Sequence, residues 1–148
     1  MADRHDVVII GGGPGGYAAA LYAAAAGLDV AMIENQKVGG TCLHRGCIPA
    51  KELLETATVR RTLKGAAEFG FTFDEPTMDF GVSQDRSQGV IDKLHKGLTG
   101  LLGNRKVRIV NGTGKLSAPG KVTVSGGDDG DVELEADAVI LALSLIHI

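Results

Sequence analysis

Val7-Val8-Ile9-Ile10-Gly11-Gly12-Gly13-Pro14-Gly15-Gly16, running straight into the alanine-rich Tyr17 to Ala26, is the stretch that decides the fold. Four apolar, β-branched residues in a row suit a strand buried on both faces of a parallel sheet. Glycines 11, 13 and 16 then form G-x-G-x-x-G between that strand and a helix. In a dinucleotide-binding turn the first glycine makes the bend, the second lets backbone approach a pyrophosphate, and the third allows close helix packing. Helix-end amides then face the phosphates. Glycine-rich turns are common, so the motif counts only in context, and here the context is complete. Gly27 closes the helix, Leu28 to Ile33 reads as a second strand, and Glu34 follows about 20 residues past the glycines, where an acid holds ribose hydroxyls. A carboxylate there disfavours a 2′-phosphate, and hence a ligand of the NADP type. The expected architecture is α/β, a doubly wound parallel sheet of Rossmann type.

Working outward, Gly39-Gly40-Thr41-Cys42-Leu43-His44-Arg45-Gly46-Cys47-Ile48-Pro49-Ala50-Lys51 holds both cysteines of the chain, five positions apart. In a regular α-helix, residues i and i+5 lie about 8.7 Å apart between Cα atoms. A disulfide tolerates about 7 Å at most. If Cys42 and Cys47 are bridged, the backbone between them is a turn or a distorted helix, for which Gly46 and Pro49 supply freedom and a kink. Two separate thiols in a reducing compartment are the alternative. A structural zinc fits poorly, because Cys42, Cys47 and His44 make three ligands rather than four and the thiols are spaced by four residues; no metal is expected.

Composition narrows the classes. With 148 residues, 44% of them hydrophobic, the chain has the size of one domain able to bury a core. Its 15 basic residues are outnumbered by 18 acidic ones and form no long run, which speaks against a nucleic-acid partner. Met1 to Asp6 is polar and Val7 to Ile10 is too short for a secretory signal. Ala138 to Ile148 falls short of the roughly 20 residues of a membrane helix. The expected setting is therefore cytoplasmic, with no membrane partner.

Gly11 to Gly16, Glu34 and above all Gly39 to Lys51 resemble the flavin-dependent pyridine nucleotide-disulfide oxidoreductases. Within that family Leu43, Ile48 and the Cys-Ile-Pro-small-Lys ending are most similar to the dihydrolipoamide dehydrogenase branch. Glutathione and mercuric reductases share the frame but usually carry valine at those two places. The resemblance implies FAD as cofactor, with Gly11, Gly13, Gly16, Glu34, Gly40 and Thr41 around its ADP half. It implies that Cys42 and Cys47 are a redox-active pair, Cys42 facing a lipoamide-type dithiol and Cys47 the flavin. Lys51 matches a lysine near the reactive flavin nitrogen, and Gly114, in Asn111-Gly112-Thr113-Gly114, matches backbone that meets the adenine. The implied reaction passes electrons from the dithiol through the cysteines to FAD and then to NAD, in a homodimer. A glutathione- or mercuric-reductase-like enzyme, and a non-catalytic dinucleotide-binding module, are the alternatives. His44 stands where asparagine is commoner and Ala50 where serine is; His44 is not expected to be the base, which the family supplies elsewhere.

The remaining segments complete the expectation. Pro49 to Ala67 reads as a helix with Leu53, Leu54, Ala57 and Leu63 on one face. Gly70 to Gly81 reads as a loop. Val90, Ile91, Leu94, Leu98, Leu101 and Leu102 predict a helix over Ser83 to Gly103 with a core-facing stripe. Val107 to Val110, Lys121 to Ser125 and Val132 to Ala136 suggest a small antiparallel β-meander laid across the first fold. Asp137 to Ala142 is expected as a further parallel strand. Leu143 to Ile148 departs from the family pattern. Residues 1–142 are therefore expected to be an incomplete FAD-binding domain, 143–148 a non-matching tail, and the NAD-binding and dimerisation domains missing.

Overall fold

The computed structural model describes residues 3–127 and 130–144. Leu143 and Ser144 of the non-matching tail fall among them, whereas 145–148 lie outside the described residues. The chain runs β1 (Asp3–Ile10), α1 (Pro14–Ala25), β2 (Val30–Glu34), α2 (Gly40–His44), α3 (Cys47–Gly65), a 3-10 turn (Ala66–Phe69), α4 (Phe80–Asn104), β3 (Arg108–Asn111), β4 (Thr113–Ala118), β5 (Lys121–Ser125) and β6 (Val132–Leu141).

One six-stranded sheet has the order β3-β2-β1-β6-β5-β4. The apolar run of β1 sits between two parallel neighbours, Ile9 facing Met32 of β2 and Ile140 of β6. Both edges of β1 are therefore paired, and Val8 and Ile9 are fully buried. Each such side chain contributes about 1.5 to 3 kcal/mol through the apolar surface it removes from water. On one face Val8, Ile10, Ala31 and Ile33 pack under Val122, Val124 and Leu134, so the β4–β5 hairpin closes that side. On the other, Val7, Ile9, Val30 and Met32 meet Ala20 of α1 and Leu102 of α4.

Two expectations about the strands are corrected. Val107 to Val110 is not the first strand of the meander. Its core, β3, pairs in parallel with β2, Ile109 opposite Met32, and extends the main sheet. Val132 to Ala136 and the strand after it are one continuous β6, whose first part pairs antiparallel with β5 and whose later part pairs in parallel with β1. The meander is thus β4, β5 and the start of β6.

Local chemistry accounts for the helices. Pro14 occupies the first turn of α1, where its missing N–H costs nothing. At the other end Gly27, at φ +89°, lets its own N–H and that of Leu28 reach the carbonyls of Ala24 and Ala23. Asp79 caps α4, its carboxylate accepting from the Gly81 amide at 2.8 Å. The expected apolar face of α3 is not a core face: α3 buries no residue, and Leu53, Leu54 and Leu63 are exposed. The reason is that α3 leans on α4 by polar contacts, Thr56 to Ser83 through hydroxyls 2.7 Å apart and Glu52 to Arg86 as an ion pair. In α4 the apolar stripe divides, Ile91 and Leu102 going inward and Leu94 and Leu101 remaining exposed. No helix among the described residues is long and apolar enough to cross a membrane.

Candidate functional site

The parallel strands carry their loops to one end of the sheet, which is where an open α/β sheet presents its ligand crevice. A cleft of about 1150 Å³ lies there, walled by the glycine loop, Glu34 to Lys37, Gly40 to Cys42, His44 and Arg45, Gln88 and Ile91 of α4, and Ile140 to Ser144. That exceeds the roughly 300 to 1,000 Å³ typical for compact small ligands.

The three glycines behave differently, and each for a visible reason. Gly11 has φ +108°, and a Cβ there would strike the Ala142 carbonyl. A Cβ on Gly16 would strike the carbonyl oxygen of Gly11, so helix and turn touch backbone to backbone. At Gly13 a Cβ would meet no protein atom within 4 Å, and the space it would fill is the cleft. The second glycine strand of the cradle is locked onto the first. The Gly39 amide donates to the Gly12 carbonyl at 2.8 Å, and a Cβ on Gly40 would come within 2.8 Å of the Gly13 Cα. Gly40 also holds φ +59°, which favours glycine.

Glu34 ends β2 with its carboxylate held by backbone. Oε2 accepts from the Gly12 amide at 2.8 Å and Oε1 from the Gln36 amide at 2.9 Å. An ionised carboxylate has about four lone-pair sites, so two anchoring bonds leave capacity for diol hydroxyls. Lys37 and Arg45 stand on the same cleft wall, Arg45 donating to the Gln36 side-chain carbonyl at 3.1 Å. The glycine cradle, the open approach at Gly13 and the anchored acceptor fit the ADP half of a dinucleotide such as FAD.

Cys42 and Cys47 are bridged, with Cα atoms 4.7 Å apart. The approach is made possible by a break between α2 and α3, where Arg45 and Gly46 leave helical geometry. Cys42 lines the cleft, whereas Cys47 and Lys51 stand outside that lining, both exposed on the first turns of α3 and four residues apart. Thr41 lines the cleft. Gly114 does not; a Cβ on it would press on Ile10 and Ile33 at 3.1 Å, so it lets the hairpin sit down on the sheet. Its segment is still tied to the acid, since the Gly112 amide donates to the Glu34 carbonyl at 3.1 Å.

His44 spends its ring locally: Nε2–H donates to the Val38 carbonyl at 2.9 Å, and the ring meets His95 of α4 edge-on, centroids 5.2 Å apart at 66°. Sequence reasoning had no signal for Gln36, Lys37, Arg45 or Gln88 in the cleft wall. They are ordinary polar surface residues until the loops converge. Ile91 was legible only as one more position in an apolar stripe.

The model of the family Pyridine nucleotide-disulphide oxidoreductase matches residues 5–143. The chain is 40% identical to a dihydrolipoyl dehydrogenase of Bacillus subtilis, over 95% of this chain and 31% of that protein. It is 40% identical to that of Chlamydia pneumoniae, over 96% of this chain and 30% of that one. Among solved structures it is similar to the Cu(II) complex of HOCl-induced flavoprotein disulfide reductase RclA from Escherichia coli, with TM-score 0.78 and 24% identity, covering 96% of this chain and 29% of that chain. That last likeness speaks for the fold. The chain spans about 30% of the length of the curated relatives it matches.

Proposed function

Because the chain belongs to the pyridine nucleotide-disulphide oxidoreductase family, we propose that it is the flavin-holding, disulfide-bearing part of a dihydrolipoyl dehydrogenase-like enzyme. The observation that carries this reading is the Cys42–Cys47 bridge standing at a cleft whose other walls are the glycine cradle and an anchored Glu34. In this reading residues 1–142 belong to an FAD-binding domain. NAD and the acid-base group that serves the substrate thiols bind or lie in other parts of a cytoplasmic homodimer, an extension that the family resemblance supports.

The chemistry assigned to this chain is thiol-disulfide exchange. A thiolate of the incoming dithiol attacks Sγ of Cys42, forming a mixed disulfide and releasing the Cys47 thiolate. The second substrate thiolate then attacks its own partner sulfur, releasing the Cys42 thiolate and closing the substrate disulfide. The dithiol has lost two electrons and the bridge has gained them. When bound, FAD supplies the two-electron acceptor that reoxidises the cysteines. Lys51, one helical turn beyond Cys47, is assigned to stabilising negative charge that develops near the flavin. Glycines 11, 13, 16 and 40 give close backbone approach to the pyrophosphate, and Glu34 orients the ribose.

A titration of the refolded chain with FAD, read by visible absorbance, tests the cofactor assignment. Saturable FAD binding in preference to NAD is expected, and Glu34→Gln, which removes a charged acceptor, is expected to weaken it by about 10- to 100-fold. Preference for NAD at this cleft would overturn the reading.

A further inference from the structure

We propose that His44 and His95 form a clasp that positions the cysteine-bearing turn against α4, and that protonation of His95 loosens it. His44 is fixed on two sides, by the bond from Nε2–H to the Val38 carbonyl and by the edge-on contact with His95. His44 lies two residues after Cys42 in α2, while His95 lies one turn beyond Ile91, one of the two α4 residues in the cleft wall. The contact thus ties the disulfide turn to the helix that supplies Gln88 and Ile91 to the cleft wall. His44 is a positioning residue here, acting on the bridge through the backbone of α2.

Two neutral imidazoles meet favourably edge to face; two imidazolium ions at this distance repel. The charged groups set around His95 are His44, Lys37 from the turn after β2, and Asp92 from its own helix. Burial first, then His44 and Lys37, hold the His95 pKa below its ordinary 6.5, and Asp92 opposes them. With a lowered folded pKa, the open form binds the proton more readily than the clasped form. Clasp stability is therefore present above about pH 6.5 and declines as pH falls below it. Coulomb's law in water at the 5.2 Å separation gives roughly a fourfold change in the opening equilibrium.

The inference rests on reading the bridge as redox-active, but its test needs neither flavin nor turnover, so the two fail separately. Cleavage of the Cys42–Cys47 bridge by a water-soluble phosphine is followed by thiol release in the folded chain at pH 8 and pH 5, in wild type and in His95→Phe, which keeps a ring and cannot take a proton. Taking the ratio of wild-type to variant rate at each pH cancels the titration of the reagent. The ratio is expected to rise about fourfold from pH 8 to pH 5. His44→Gln, which keeps an N–H donor for the Val38 carbonyl, provides a second denominator and should give the same rise. Ratios independent of pH with either folded variant would overturn the clasp.

Discussion

Gly16→Ala is expected to destabilise the chain by about 3 kcal/mol or more, since overpacking a closed contact with no side chain able to yield lies at the upper end of such costs. For a protein of this size that corresponds to a fall in Tm of about 6 to 12 °C. The argument is steric. Gly16 is buried in α1, and the atom its Cβ would strike is the carbonyl oxygen of Gly11, which can retreat only if the turn moves. That turn is not free, because the Gly11 amide donates to the Ile33 carbonyl at 2.8 Å and a Cβ at Gly11 would itself strike the Ala142 carbonyl. Gly13→Ala serves as the contrast. No protein atom lies within 4 Å of its Cβ position, so stability should change by less than about 1 kcal/mol, while FAD affinity falls because the methyl enters the cleft. Thermal melts with a parallel FAD titration separate the two. Equal loss of stability in both variants would show that the glycines are not divided between a packing role and an approach role.

That division is also where the sequence was most legible. A wholly apolar strand, a glycine turn, an alanine-rich helix and a strand-end acid are local patterns, and they fix β1, α1, β2 and Glu34 because period, turn chemistry and spacing are each read within a few residues. Partner choice is different. Val107 to Val110 reads the same whether it joins a meander or extends a parallel sheet, and only the covered edge of β2 decides for the latter. The apolar positions of α3 show the limit of periodicity: Leu53, Leu54 and Leu63 have helical spacing, yet the helix is held by Thr56 and Glu52 and leaves them exposed. In the site, Cys42, Gly40 and Thr41 carried a motif, whereas Lys37 and Arg45 join the cleft wall through the fold of a loop that the Gly39 amide helps pin to Gly12.

In the complete enzyme of the proposed function, Cys42→Ser and Cys47→Ser are each expected to lower lipoamide-linked turnover by about 10³-fold or more, the order seen when a nucleophile is removed from a group that acts as a unit. The exchange needs both sulfurs: one is attacked and the other must leave as a thiolate, and a serine hydroxyl at either place can neither form the mixed disulfide nor depart from it. In the proposed reaction NADH reduces bound flavin without passing through the bridge, so that step is expected to persist in both variants and the loss to be confined to the dithiol half. His44→Asn should leave the turnover number within about fourfold of wild type, because the His44 ring is engaged with the Val38 carbonyl and His95 rather than aimed at a substrate thiol, and losing that clasp costs no more than this. For residues 1–148 alone the same counting of parts predicts no measurable NAD-dependent lipoamide activity. The turn holds the disulfide, but turnover also requires a hydride acceptor site and a base to generate the attacking thiolate, and neither is assigned to this stretch. Stopped-flow reduction by NADH, steady-state lipoamide oxidation and the same assay on the 148-residue chain decide the matter together. Turnover by the short chain, or a loss of about 100-fold or more on His44→Asn in the complete enzyme, the scale of a removed general base, would place the base within residues 1–148 and overturn the assignment of Cys42, Cys47 and Lys51 as the only chemistry this part of the protein supplies.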